Sequence, residues 1–323
     1  MKMSKVNKFT SINDYAPIVY GSLGKLYFCT KIEKNSFDKA KYEKYSKLKS
    51  EFILKLRDLE TKGYYYNIYS EYSNYGTLFD YIKDRKSQNL QIEENLLRCI
   101  IKQITQGLEI LFKEGFVFEN LNLKDIFINN KDIFNYFKKS YNKNSDTYLN
   151  NKIYANKIDF SKLTLDNTQI KIKNIFFKKE IDTNSIDKLN NLAPEIVQAI
   201  SEQKNVAKNY DYKAEIWNLG IITYQLLTIN LSVDFNDLIN KIKKKEKYIP
   251  DNINASKEII DFIDKLLQLD PKERMDFDEI KNHEFIKGKK TQNEIIEETK
   301  KLKERKEELE KIIDEKFLEI LEK

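Results

Sequence analysis

The side chains with the clearest chemical potential lie close together at residues 118–125, which read Phe-Glu-Asn-Leu-Asn-Leu-Lys-Asp. Asn120 carries a carboxamide, whose oxygen is too weakly basic to accept a proton near neutral pH, so this residue cannot act as a general base. Asp125 carries a carboxylate, which is a good ligand for a hard divalent cation such as Mg²⁺. An ordinary solvated loop aspartate is the alternative interpretation of Asp125. The segment therefore predicts, at most, cation binding without proton abstraction.

This segment resembles the catalytic loop of the eukaryotic protein kinases, whose pattern is H-R-D-L-x-x-x-N. Residues 118–120 stand where the family has His-Arg-Asp, and Asp125 stands where it has the Asn that binds magnesium. The resemblance implies that the catalytic base is lost at Asn120 and that the phosphate-steadying Lys is replaced by Asn122. We therefore expect a kinase-like loop that lacks the chemistry of the family.

Two segments compete for the family's Asp-Phe-Gly motif, whose Asp binds a bridging magnesium ion. Asn174 begins the first segment, Asn-Ile-Phe, and follows residues 167–173, whose alternating apolar side chains predict a strand. Asp159 begins the rival segment, Asp-Phe-Ser, which keeps the metal-binding carboxylate. We favour Asn174 because the stretch from there to Glu195 has the length of a normal activation segment. In that alignment the charge that holds the bridging magnesium is lost as well.

The N-terminal region should supply the family's phosphate-contacting lysine, and two alignments compete there. In the first, residues 21–26 are a remnant of the glycine-rich loop that covers the phosphates, but too few residues then remain for the strands that follow. In the second, which we favour, residues 17–21 and 25–33 are adjacent strands, and Lys31 takes the position of the lysine. Residues 13–17 then form the phosphate loop without any glycine, so we expect weak or absent nucleotide binding. Lys31 is alternatively one more surface lysine.

The elements that would position these residues follow one another in the family's order. Residues 52–71 predict a β-hairpin that ends at a hinge, and residues 93–114 place apolar side chains at the spacing of a long helix. Residues 210–227 resemble the family's central helix. The resemblance implies an α+β, two-lobed protein-kinase-like fold, with a small β-rich N-lobe and a large α-helical C-lobe. Four positions that stack as an apolar spine in the family keep side chains able to pack: Tyr45, Leu56, Phe118 and Ile175.

Single residues of the family pattern extend the resemblance. Residues 193–195 match its Ala-Pro-Glu motif, and the resemblance implies that Arg274 pairs with Glu195. Glu215 replaces the Asp that holds the backbone of the catalytic loop. Phe127 stands where the family has a small aliphatic residue under the adenine, so its ring should partly fill that pocket.

The resemblance also divides the chain into segments. We expect an N-terminal tail at residues 1–7, an N-lobe at 8–72 and a C-lobe at 73–287 with a surface insertion at about 129–165. Residues 288–323 are almost pure helix formers with apolar side chains near one stripe, which predicts a helical, coiled-coil-like arm. This arm is expected either to fold back on its own domain or to bind a partner.

Composition limits the remaining classes of function. The chain of 323 residues has 57 Lys and Arg against 51 Asp and Glu, a net charge of +6 with the two signs interspersed, so we expect no nucleic-acid partner. Cys29, Cys99 and the one histidine form neither a metal-ligand spacing nor a disulfide framework. No apolar stretch of about 18 residues predicts a membrane helix, and residues 1–20 show no export signal. We expect a cytoplasmic protein without a membrane partner, with cytoskeletal association as a further expectation.

Together these features predict a pseudokinase, which is a catalytically inactive kinase-like domain and not an enzyme. It would act as a scaffold that binds other proteins through its C-lobe and the helix at residues 288–323, with no cofactor. One alternative is a divergent, weakly active Ser/Thr kinase that uses ATP and Mg²⁺, with Asp125 or Asp159 as a metal ligand and Lys31 at the nucleotide. A second alternative is a structural component of a cytoskeletal assembly.

Overall fold

The computed structural model describes residues 18–20, 26–73, 75–118, 120–131, 160–173, 192–202 and 211–288, together with residues 300, 303, 305 and 306. The strands are β1 Ile18–Tyr20, β2 Leu26–Glu33, β3 Leu56–Lys62, β4 Tyr65–Glu71, β5 Ile126–Asn130 and β6 Thr168–Ile172. The α-helices are α1 Lys39–Ser46, α2 Leu78–Ser87, α3 Glu94–Lys113, α4 Pro194–Ser201, α5 Tyr212–Thr228, α6 Phe235–Lys244, α7 Lys257–Leu266, α8 Phe277–Asn282 and α9 Glu284–Lys287. A small lobe built on a sheet is thus followed by a larger helical lobe, as expected.

Within the described residues, the N-terminal lobe is a four-stranded antiparallel sheet in the order β1-β2-β4-β3. β1 pairs with β2 so that Ile18 lies opposite Phe28, which confirms that residues 17–21 and 25–33 contain adjacent strands. β3 and β4 form the expected hairpin. Its turn contains Gly63 at φ 58°, in the left-handed region that glycine adopts without strain.

Helix α1 connects the sheet to the catalytic-loop segment. It begins after Asp38, whose carboxylate accepts a hydrogen bond from the backbone N of Lys41 at 2.9 Å and so satisfies one of the free donors of the first turn. Tyr45 is the buried residue of this helix. Its ring meets the ring of Phe116 edge to face, with centroids 5.7 Å apart. Because Phe116 lies just before residue 118, α1 packs directly against the entry to the loop.

Helix α5 forms the centre of the C-terminal lobe, because every residue from Ala214 to Leu227 is buried. A helix that is buried on all sides is stable only inside a core. Gly220 allows α5 to lie close to the end of α7, since a Cβ at this position would lie 2.6 Å from Cδ2 of Leu267, just after α7. The central position of α5 fixes Glu215 at its N-terminal end.

β5 and β6 form a separate antiparallel hairpin that begins immediately after Asp125, with Ile126 opposite Ile172. Ile172 is also bonded to the chain before β3: its N donates to the carbonyl of Phe52 at 2.8 Å, and its carbonyl accepts from the N of Leu54 at 2.9 Å. The hairpin is therefore held from both lobes, and it fixes the end of the catalytic loop.

Residues near both ends of the insertion predicted at about 129–165 are buried parts of the fold. Asn129 and Asn130 belong to β5 and pair with β6. Phe160 is buried in the hydrophobic core. Asn129 and Asn130 are residues typical of a loop, but their backbone pairing with β6 makes them the end of β5. Residues 132–159 lie outside the described residues.

The predicted arm at residues 288–323 lies largely outside the described residues as well. Its described residues beyond Gly288 are helical and exposed: Lys300, Lys303, Arg305 and Lys306. Where the structure describes the chain, no helix combines the length and the apolar character needed to cross a membrane.

Candidate active site

Apolar side chains anchor the catalytic-loop segment on both sides of Asn120. Phe118, Leu121 and Leu123 are all buried. Asn120 has φ 92°, a positive value at which Asn and Asp are enriched among the non-glycine residues. The loop therefore holds residue 120 in a backbone conformation that asparagine and aspartate both accept.

Asp125 is the last residue of a short 3-10 helix, Leu123–Asp125. Hydrogen bonds hold both its side chain and its backbone. The side chain of Asn122 caps this helix: its Oδ1 accepts from the N of Lys124 at 2.9 Å, and its Nδ2 donates to Oδ2 of Asp125 at 2.5 Å. The carbonyl of Asp125 accepts from the N of Lys173 at 2.8 Å. Asp125 is only 7% exposed, so its carboxylate is a positioned group and not a solvated loop side chain.

Asn174 and Asp159, the two candidates for the position of the Asp-Phe-Gly motif, both lie outside the described part of the chain, so the choice between them stays a prediction. Lys173 directly precedes Asn174 and is hydrogen-bonded to Asp125. Phe160 directly follows Asp159, and its ring contacts Tyr75 and Tyr81 of the C-lobe at 5.4 and 5.3 Å between centroids. The structure thus brings Lys173, the end of the described part of this stretch, to the catalytic loop.

The structure corrects the expectation that Lys31 contacts the nucleotide. Its side chain is exposed, and its ammonium lies 3.7 Å from the centroid of the Tyr65 ring. Side chains along a strand point alternately to opposite faces, so Lys31 and Phe28 lie on opposite faces of β2. Phe28 faces the C-lobe, because its ring contacts Phe127 of β5. Lys31 therefore lies on the outer face, away from the cleft and Asp125.

A partly buried ion pair that was not predicted from the sequence lies in this cleft. Nζ of Lys171 is 2.7 Å from Oε1 of Glu71, and the two side chains are 9% and 17% exposed. Glu71 also accepts a hydrogen bond from the N of Lys55 at 3.0 Å. Glu71 is the last residue of the hairpin predicted at 52–71, and its partner is far away in the chain, so no local pattern could reveal their pairing. Lys171 places a positive charge beside Phe127, its partner across the hairpin.

Glu215 lies next to the catalytic loop, where the resemblance places it. It is buried, and it lines a small pocket together with Phe116 and Phe118. Its Oε2 accepts a hydrogen bond from Nδ2 of Asn218 at 3.4 Å. The central helix α5 thus presents a carboxylate to the start of the loop.

The ion pair expected between Glu195 and Arg274 is confirmed. Nη1 and Nη2 of Arg274 each lie 2.6 Å from one carboxylate oxygen of Glu195, which is the bidentate geometry that makes such pairs strong. Nε and Nη1 also donate to the carbonyls of Gln268 and Lys213, at 2.7 and 2.9 Å. The guanidinium is fully buried, so this pair fixes the end of the activation segment to the core.

Two buried side chains near the sheet, Cys29 and Tyr45, carry ionisable groups, but neither replaces the missing general base. Burial raises the pKa of the Cys29 thiol, so the reactive thiolate is disfavoured. Burial, and to a smaller extent the carboxylate of Glu71, raises the pKa of the Tyr45 phenol well above its usual value. Both groups are therefore neutral and protonated near pH 7.

The fold and the site define a protein kinase domain, and comparison with known families agrees. The family described as protein kinase domain matches residues 24–286, so the chain belongs to the protein kinases. The α+β, two-lobed protein-kinase-like fold predicted from the sequence is thereby confirmed.

Several similar proteins carry the name of a serine/threonine-protein kinase. A provisionally named serine/threonine-protein kinase of Acanthamoeba polyphaga mimivirus is 26% identical over 70% of this chain and 47% of its own length. The human serine/threonine-protein kinase ULK1 is 24% identical over 74% of this chain and 20% of its own length. The serine/threonine-protein kinase ATG1c of Arabidopsis thaliana is 34% identical over 31% of this chain and 13% of its own length. The chain thus spans about half, or less, of these relatives.

These matches overturn the expectation that the chain is not an enzyme. The kinase family matches nearly all of the two-lobed domain, and the relatives that align with most of it carry kinase names. Membership of this family points to an enzyme, and the prediction of a non-enzyme is wrong.

Proposed function

We propose that the chain is a divergent serine/threonine protein kinase that transfers the γ-phosphoryl group of ATP slowly, with Asp125 as a ligand of Mg²⁺. The observation that carries this proposal is the placement of Asp125. Its carboxylate is buried at the end of the catalytic loop and oriented by Asn122, and its carbonyl is bonded to the residue that precedes Asn174. This is the position at which the kinase family holds a metal ion. The names of the relatives support the choice of Ser and Thr as acceptors.

The residues fit a magnesium ion that binds mainly through phosphate oxygens. Among the described residues no group of three or more His, Cys, Asp or Glu side chains could hold a metal by itself. Mg²⁺ commonly binds through one or two carboxylates together with substrate phosphates, so a single buried carboxylate at Asp125 is sufficient. The bound ion would neutralise charge that develops on the phosphates during transfer.

The absence of a general base at Asn120 slows the proposed reaction but leaves most of its catalysis in place. Phosphoryl transfer passes through a loose transition state, for which positioning and charge stabilisation supply most of the rate enhancement. Loss of general base catalysis typically lowers a rate by about 10²–10⁴. The expected enzyme is therefore a slow kinase that retains a dependence on the metal ion.

A phosphotransfer assay on the full chain tests this proposal. The purified protein is incubated with radiolabelled ATP, Mg²⁺ or Mn²⁺ and a protein substrate rich in Ser and Thr, and the modified residues are identified by mass spectrometry. We expect slow, cation-dependent transfer to Ser or Thr, and a loss of about tenfold or more in Asp125→Ala. Asp251→Ala is the matched control, because Asp251 is an exposed aspartate of the same lobe. Transfer no greater than in an enzyme-free reaction, or equal transfer by Asp125→Ala, would contradict the proposal.

A further inference from the structure

Aromatic rings meet across the cleft between the two lobes. The ring of Phe28 on β2 lies 5.0 Å from the ring of Phe127 on β5, centroid to centroid, with 39° between the ring planes. The ring of Phe28 also contacts that of Tyr72, which follows β4, at 5.2 Å between centroids. These rings lie in the part of the cleft where the resemblance places the adenine, above Phe127.

The spacing of the rings leaves no room for a purine base. A flat base between two aromatic groups needs van der Waals contact on both faces, at about 3.5 Å each, so the rings must be roughly 7 Å apart. The distance between Phe28 and Phe127 is 5.0 Å. A nucleotide can therefore enter this place only if one of the rings moves.

We propose that Phe28 is a gate of the purine site, which occupies the place of the adenine in the free protein and must swing aside before ATP binds. This inference rests on the proposed function, because it takes ATP as the ligand of the cleft. It adds a residue that sets nucleotide affinity and a physical cause for weak binding. The apparent affinity of such a site equals the intrinsic affinity multiplied by the fraction of open molecules.

Phe127 cannot be the moving ring. It lies in the middle of the hairpin, paired with Lys171 on one side and bridged to Thr77 on the other. Its side chain is buried, as are all residues of β5. Movement of its ring would have to displace packed neighbours from both directions.

Phe28 is better placed to move, because it is only half-buried. Its partner directly across the pairing with β4 is Ser70. Paired residues lie on the same face of a sheet, so the short side chain of Ser70 stands beside the ring where a larger residue would hold it in place. Ser70 therefore adds little bulk beside the ring on the β4 side, where Tyr72 also contacts it, while Ile18 lies opposite Phe28 on β1.

Adenosine binding to the full chain tests the gate separately from phosphoryl transfer, because adenosine carries no phosphate. Its affinity is measured by isothermal titration calorimetry in the wild type and in Phe28→Ala and Phe28→Leu. We expect Phe28→Ala to bind adenosine about tenfold more tightly than the wild type, with Phe28→Leu between the two. Thermal unfolding of each variant verifies that it is folded, and Phe28→Leu keeps the test available if the alanine variant is unstable.

Phe37→Ala is the matched control, since Phe37 is a half-buried phenylalanine of the same lobe that contacts Tyr42 and Tyr66 instead of the cleft. It should bind adenosine as the wild type does. Equal or weaker binding by the Phe28 variants, or no binding by any of the proteins, would overturn the gate. Tighter adenosine binding without any phosphotransfer would support the gate and count against the kinase proposal alone.

Discussion

Asn120 and Asp125 show how one loop can lose one chemical group and keep another. At residue 120 only the side chain prevents general base catalysis, because the backbone, at φ 92°, would also accept an aspartate. At Asp125 the carboxylate remains, and a hydrogen bond from Asn122 orients it. The missing function is therefore local and should be recoverable by a single substitution.

Asn120→Asp is expected to raise the rate of phosphotransfer by about 10²–10⁴, because it supplies a carboxylate that can accept the proton of the substrate hydroxyl. The measurement is the turnover number at saturating ATP. Asn89→Asp is the matched control, since Asn89 is an exposed asparagine that also has a positive φ, of 55°. An unchanged turnover number in Asn120→Asp would contradict the assignment of residue 120 to the position of the base.

Glu109 on α3 gives a prediction for pH dependence. Its Oε1 lies 2.7 Å from Nζ of Lys113 and 3.0 Å from Nζ of Lys281. Burial alone would raise the pKa of Glu109, but the hydrogen bonds from these lysines outweigh it and hold the pKa below its usual range. A carboxylate with a lowered folded pKa stabilises the fold above its unfolded pKa, and this stabilisation is lost as the pH falls through the folded value.

Glu109→Gln should therefore lower the free energy of unfolding by about 0.5–1 kcal/mol at neutral pH, since both lysines are partly exposed. The difference from wild type should shrink once the pH falls below about 4. Urea titrations of both proteins, at neutral pH and below about pH 4, measure this difference in the free energy of unfolding. Glu273→Gln, which changes an exposed glutamate, is the control. A difference between wild type and Glu109→Gln that stays constant with pH would show that charge is not its cause.

Lys31 and Phe28 show what could not be predicted at the scale of single residues. The strand was predicted correctly, but its inner and outer faces were not. A shift of one residue exchanges the faces of every side chain in a strand. Residues 27–30, Tyr-Phe-Cys-Thr, show no polar and apolar alternation that would fix the faces. The contact of Phe28 with Phe127, across the cleft, identifies the inner face.

At the scale of elements, the contact between α3 and β6 depends on a missing side chain. A Cβ on Gly107 would lie 2.7 Å from Cδ1 of Ile172 and 3.2 Å from the carbonyl O of Phe52. Ile172 is fully buried, so its methyl group cannot turn into solvent. Helix and hairpin thus touch at the point where the chain before β3 also pairs with β6.

Gly107→Ala is expected to lower the free energy of unfolding by about 1–2 kcal/mol. Alanine would favour the helix by about 1 kcal/mol at an open site, but overpacking of a core typically costs about 1–3 kcal/mol and should outweigh that gain. Chemical denaturation measures the change. Lys102→Ala, at an exposed position of the same helix, is the control and should not destabilise the protein. A more stable Gly107→Ala would contradict the close contact.

Elements with a strong period were predicted well, and the edges of irregular segments were not. The apolar spacing at residues 93–114 matches α3, because burial of one helix face repeats along the sequence. The end of β5 was missed because Asn129 has a polar side chain. Its Oδ1 accepts a hydrogen bond from Oγ of Ser73 at 2.9 Å, so its burial is satisfied by a distant residue. No local pattern contains that information.

At the scale of the whole molecule, Arg274 joins parts of the chain that are far apart in sequence. Its guanidinium binds Glu195 of α4 and the carbonyl of Lys213 in α5. It also lies 5.1 Å from the ring of Trp217, at the centre of the core. The fold could be predicted from the order of motifs such as Ala-Pro-Glu and Arg274 along the sequence, because each motif marks a contact between elements that are far apart in the chain.

Arg274→Ala should lower the free energy of unfolding by about 3–5 kcal/mol, because it leaves the carboxylate of Glu195 without its buried partner. Urea unfolding measures this loss. Arg57→Ala is the control, since Arg57 is partly exposed and its nearest contact with Glu71 is 3.5 Å, so its removal should cost less than about 1 kcal/mol. Similar losses for the two variants would contradict a special role of the buried pair.

The expectation of a non-enzyme failed because it gave the general base too much weight. Phosphoryl transfer depends largely on positioning and charge stabilisation, so a missing base does not by itself decide the class of protein. Binding of other proteins through the C-lobe and residues 288–323 stays a prediction, as do a cytoplasmic location and cytoskeletal association. The described residues of that arm are helical, which agrees with the helix but identifies no partner.

The bonds that Ile172 makes to Phe52 and Leu54 restrict how the two halves of the protein can move. A sheet joined to a helical body only by its covalent connections could translate as well as rotate. Here two backbone hydrogen bonds hold the stretch before β3 to the end of β6. An opening of the cleft that keeps those bonds leaves the stretch before β3 in place against β6, so the two lobes cannot separate at Ile172.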